Sequence, residues 1–225
     1  MIRNPALFLP LHVNSLFEDI YPENARRLSL IEDIEATLKL KNSDDKINSI
    51  DRLFRTNHDL IKGAPIAIFF RLQLISLFSE ISERISPNTG ALLEKLISEI
   101  KEEEREKKLP ILTEMRLTAT FQLLVFYTDF PPAYIKIHWL VQDLLQHKTY
   151  VFFHKTRTMI YLFAGILTLK TGKHLRGLNL LKEGVKYEPK FIKRFDHIIN
   201  EELLGVPEEL RREFFKQFHN KQPLV

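Results

Sequence analysis

The placement of proline constrains this chain more than any other feature. Pro22, Pro65, Pro110, Pro131, Pro189 and Pro207 each stand just before an amphipathic run. The first turn of a helix leaves its N–H groups unpaired, so proline's missing donor costs nothing there and its fixed φ suits the turn. Val, Ile and Thr rarely alternate with polar residues, so the period-2 signature of a half-buried strand is missing nearly everywhere. The pattern predicts an all-α fold, with helices at about 23–40, 44–62, 65–85, 89–108, 111–128, 131–147, 150–171, 174–187, 190–203 and 207–219. Short turns between so many helices make neighbours antiparallel, which implies stacked helical hairpins.

Local chemistry marks a helical hairpin between the second and third of these helices. Ser43 with Asp44 and Asp45 supplies an oxygen cap and negative charge at a helix start, and Gly63 ends that helix just before Pro65 opens the next. The run from Pro65 to Ile85 is apolar around most of its circumference, so it is expected to be central. Residues 99–108 read EIKEEEREKK and end near Pro110. Such a run is either a docking tract or a solvated last turn followed by a hinge. A soft division is expected there, into an N-terminal subdomain of residues 1–108 and a C-terminal one of 109–225.

Composition narrows the class. A chain of 225 residues with 44% hydrophobic and 28% charged residues is globular, and needs no staple to build its core. It has no cysteine, which excludes disulfides, thiolate metal sites and cysteine nucleophiles and fits a reducing compartment. Pro10 and His12 interrupt the apolar stretch from Ala6 to Val13, so a secretory signal is not expected. Met159 to Leu169, the longest uncharged apolar stretch elsewhere, is eleven residues, whereas a membrane span needs about 20. A cytoplasmic protein is expected.

Between Thr158 and Phe191 the small residues fall into a register. Tyr161 is followed four residues later by Gly165, the turn falls at Gly172, and the next helix carries Gly177, Leu181 and Gly184 before Pro189. This order resembles the tetratricopeptide repeat, a 34-residue helix-turn-helix unit in which small residues let two helices approach and a proline closes the second. The segment departs from the pattern at Ala164 and Thr168, and a weaker echo from Glu114 through Ala133 and Ile137 lacks the glycine and proline. An ordinary hairpin with glycines at its crossing accounts for the same residues. The resemblance implies an α-solenoid, or right-handed helical superstructure, of degenerate neighbours. It further implies that the first helix lines a groove, with Met159, Leu162, Ile166 and Lys170 exposed in it.

No catalytic signature survives inspection. The segment GILTLKTGK, Gly165 to Lys173, ends like a phosphate-binding loop, but its first glycine is too distant and His174 replaces the required hydroxyl. His138, His147, His154 and His174 lack the i,i+4 spacing of a metal site, and Glu102, Glu103 and Glu104 diverge around a helix. No enzyme activity, cofactor or metal is expected.

Charge is more informative. From Phe130 to Lys182 eight Lys or Arg face one acid, Asp143, a net of +7 within a chain of net +4. A basic surface attracts an acidic protein or nucleic acid. The expected function is therefore a non-catalytic adaptor, scaffold or chaperone that binds an acidic or amphipathic peptide through Met159, Leu162, Ile166, Lys170, Lys173 and Arg176. The alternative is a helical nucleic-acid-binding regulator that uses residues 130–182, with Tyr150, Phe152, Phe153, Tyr161 and Phe163 available to stack bases or to fill the core. Capture of a terminal carboxylate, which in this family relies on asparagines, is disfavoured, since no Asn occurs from Thr89 to Leu178.

Overall fold

The computed structural model describes residues 25–60, 65–81, 87–147, 154–187 and 196–219. Among them are ten helices and no strand: α1 (Ala25–Leu38), α2 (Ser43–Thr56), α3 (Ile66–Ile81), α4 (Pro87–Lys107), α5 (Pro110–Phe126), α6 (Tyr134–Gln146), α7 (His154–Lys170), α8 (His174–Tyr187), α9 (Asp196–Leu203) and α10 (Glu208–His219). The all-α expectation holds. Among the described residues no helix is long and apolar enough to cross a membrane. Pro22, Gly63 and Pro189 lie outside the described residues, as do the aromatics Tyr150, Phe152 and Phe153.

The chain divides into two compact units, Met1–Leu123 and Leu124–Val225. The division falls inside α5 and not at the charged run 99–108, for a visible reason. That run forms the last turns of α4, and Glu104 reaches across the turn to Arg116 of α5 at 2.7 Å, fastening the two helices together. Glu103 pairs with Lys107 in the same turns.

In the first unit consecutive helices pair, α1 with α2 and α3 with α4. The cap of α2 comes from Asn42, one residue before the expected Ser43: its Oδ1 accepts from the backbone N–H of Asp44 at 2.8 Å and of Asp45 at 3.4 Å. Two of the orphan donors of the first turn are thereby satisfied. Helix α3 buries Ile66, Ile68, Phe69, Phe70 and Leu72, as its all-round apolar sequence predicts, while Arg71 reaches Glu99 of α4 at 2.6 Å. Helix α5 is buried along nearly its whole length, from Ile111 to Leu124. Its threonines are accommodated because Thr118 and Thr120 donate to the carbonyls of Glu114 and Arg116 one turn back.

In the second unit α7 is the central helix: α6, α8 and α9 all pack on it, and α10 packs on α8. The α7/α8 hairpin is antiparallel, since Thr158 at the start of α7 meets Gly184 near the end of α8 while Leu169 at its end meets Gly177. Its turn is a Schellman closure. The N–H of Lys173 bonds to Thr168 O and that of Gly172 to Leu169 O, with Gly172 at φ +75°. The segment that imitates a phosphate-binding loop is this helix end.

Candidate interaction surface

The hairpin is held close by its glycines. A Cβ at Gly165 would lie 2.7 Å from Leu181 Cγ and 3.1 Å from Gly177 O, and one at Gly177 would lie 2.7 Å from Leu169 Cγ and 3.0 Å from Gly165 O. Each glycine therefore faces the backbone of the other, and the axes cross where no side chain intervenes. Leu178 and Leu181 of α8 are buried alongside.

That closeness, with α6 and α9 on its other sides, encloses α7. Met159, Leu162 and Ile166, expected in an open groove, are only 2%, 1% and 2% exposed. The expectation of exposure is corrected: from Thr158 to Leu169 every α7 residue is buried except the half-buried Tyr161, so the helix has no free apolar face. Phe163 is likewise core, and Tyr161 stacks on Tyr187 at 5.8 Å with Arg157 over the Tyr187 ring at 4.1 Å.

The three cations of the expected site separate by role. Lys170 is a tether, since its Nζ donates to Thr128 O at 2.6 Å and pairs with Glu202 of α9 at 3.0 Å. Lys173 and Arg176 remain on the surface at the start of α8. Arg176 is oriented toward α6: its Nη1 donates to the Tyr134 hydroxyl at 2.9 Å, and its guanidinium lies 5.5 Å from the centre of that ring. At the far end of α8, Lys186 has its pKa raised above the ordinary lysine value, chiefly by its hydrogen bond to Glu183.

Arg176 leads to a surface that the sequence did not single out. Helix α6 buries Ile137, Val141 and Leu144 on one face. On the opposite face stand Ile135, 58% exposed, and Trp139, 67% exposed and the only tryptophan in the chain. Ring contacts join this face to the cation: Tyr134 stacks on His138 at 6.3 Å, and His138 meets Trp139 edge-on at 6.3 Å. Leu175, the neighbour of Arg176 on α8, is 60% exposed, and Phe130 in the segment before α6 is also exposed. The signal was present in the sequence. Once Ile137, Val141 and Leu144 are assigned to the core, Ile135 and Trp139 are apolar residues left over on the far side of the same helix.

Among the described residues no group of three His, Cys, Asp or Glu side chains is placed to hold a metal ion. His147 approaches Asp143 at 3.7 Å within α6. The surface instead combines exposed apolar side chains, aromatic rings and cations, which suits adhesion to another molecule. No protein-family model matches the chain, and no curated protein or solved structure is significantly similar to it.

Proposed function

We propose that this chain is a non-catalytic protein-interaction module, an adaptor, scaffold or chaperone, which binds a polypeptide through the outer face of α6 and the adjoining start of α8. One observation carries the reading: Trp139 and Ile135 stand exposed one helical turn apart, beside an arginine already held in place by Tyr134. Tryptophan and arginine are, with tyrosine, the residues most enriched at the energetic centres of protein interfaces. Within this reading the α7/α8 hairpin is a tetratricopeptide-like unit, supported by the glycine crossing and the glycine-closed turn. The binding face, however, lies on α6 and not on the first helix of that unit.

The Tyr134–His138–Trp139 series beside Arg176 also favours a second reading, a nucleic-acid-binding regulator in which these rings stack on bases. Ile135 and Leu175 weigh against it, because exposed aliphatic side chains offer no hydrogen bond or charge to a phosphate and stack less well on bases than aromatic rings do. Differential capture separates the two readings. Immobilised protein should retain a polypeptide from a cell lysate that an Ile135→Ser, Trp139→Ala variant releases. Retained material that is nuclease-sensitive, and whose affinity falls steeply with salt, would replace the protein reading by the nucleic-acid one.

A further inference from the structure

Resting on that reading, we infer that the occupant of the α6 face is an acidic amphipathic helix, seated with its carboxylates at the Arg176 end. Shape limits the occupant first. Ile135, Trp139, Gln142 and Gln146 recur at helical spacing along the outward side of α6 and are all exposed. Residues so spaced form a ridge of the kind that packs into the groove of another helix. Its first two positions are apolar and its last two are amides, so desolvation is favourable only over the N-terminal half. A partner needs one pair of apolar side chains a turn apart, about 6 Å along its axis, to interdigitate with Ile135 and Trp139.

Charge limits it further. Arg176 lies at the same end as the apolar half of this ridge, because it meets Tyr134 in the first turn of α6, and the exposed Lys173 stands three residues before it in the chain. The segment 130–182 has one acid, Asp143, against its eight cations; Asp143 lies near the C-terminal end of α6 beside His147, and the exposed Asp129 directly precedes the segment. A guanidinium carries several donors, and among the described residues only one is used, on Tyr134. The ring holds the fork in one orientation, so a carboxylate arriving from the partner meets a donor set whose ordering cost is already met. A partner with glutamates one turn from its apolar pair satisfies both requirements at once. A basic helix with the same apolar pair meets repulsion at Arg176.

The test uses the full chain and Trp139 as its single fluorescent tryptophan. Four probes are titrated: a synthetic helical peptide with leucines at i and i+4 and glutamates in the adjoining turn, the same peptide with lysines for glutamates, a single-stranded oligonucleotide, and vesicles of anionic lipid. The glutamate peptide should shift Trp139 emission to shorter wavelength and the lysine peptide should bind roughly tenfold more weakly or worse. In a Lys173→Glu, Arg176→Glu variant the preference should reverse, with the lysine peptide now the tighter ligand. Reversal cannot come from misfolding, which would abolish both. Equal binding of the two peptides, with the Trp139 shift intact, would overturn the acidic partner while leaving the protein-binding face standing. A shift with oligonucleotide or vesicles and with neither peptide, or no response to any probe, would overturn both.

Discussion

Gly165 and Gly177 let α7 and α8 cross without an intervening side chain, and their substitution tests the packing directly. Alanine at a helical glycine gains about 0.5–1 kcal/mol in propensity, but here the added methyl would stand within 2.7 Å of a leucine side chain and within 3.1 Å of a facing carbonyl. Leucine side chains can move; the backbone oxygens cannot without separating the helices. Overpacking of about 1–3 kcal/mol should therefore prevail, and Gly165→Ala and Gly177→Leu should each lower stability in chemical denaturation. A gain for either would place the crossing elsewhere. The glycines were legible in the sequence as a close approach because their spacing is local and helical. The burial of Met159, Leu162 and Ile166 is not legible in the same way, because it depends on the neighbours of α7, whose placement is set by tertiary packing that helical periodicity does not encode.

At the scale of elements, the start of α2 was legible and its end was not: the helix stops at Thr56, with Asn57 as its C-cap, and not at the expected residue 62 before Gly63. Caps are written within a few residues, so the sequence located the start of α2 to within one position, although Asn42 rather than Ser43 supplies the oxygen. Asn42→Ala should cost about 0.5–2 kcal/mol; an unchanged midpoint in a thermal melt would contradict the observed cap. Lys170 shows the opposite case. Its position suggested a ligand-facing cation, yet it joins the end of α7 to Thr128 and to Glu202 across long sequence separations. The pair is partly exposed, so Lys170→Met should change overall stability by no more than about 1 kcal/mol. It should instead release α9 locally, seen as faster amide exchange in residues 196–203 with α8 unaffected. Unchanged exchange in α9 would mean that the tether does not hold that helix.

For the whole molecule, the all-α class followed from proline placement and from the missing strand period, and neither depends on how the helices are arranged. The division between Leu123 and Leu124 did not, because a charged run resembles a linker until Glu104 is seen to reach Arg116. The net charge of residues 130–182 was readable by counting, but which cations share a surface with an apolar residue was not. Arg176 acquires its role only when α8 places it against Tyr134 of α6. In the second unit α7 is therefore core, and the outer face of α6 is the proposed contact. Affinity measured beside stability tests that assignment most directly, using the glutamate-bearing helical peptide as ligand. Trp139→Ala should leave the unfolding midpoint nearly unchanged, as an exposed residue does, while weakening binding by about tenfold or more. Leu162→Ala should lose about 2–5 kcal/mol of stability while its folded fraction binds as the wild type does. If Trp139→Ala binds with wild-type affinity, or if Leu162→Ala loses affinity without losing stability, the contact face is not the one on α6.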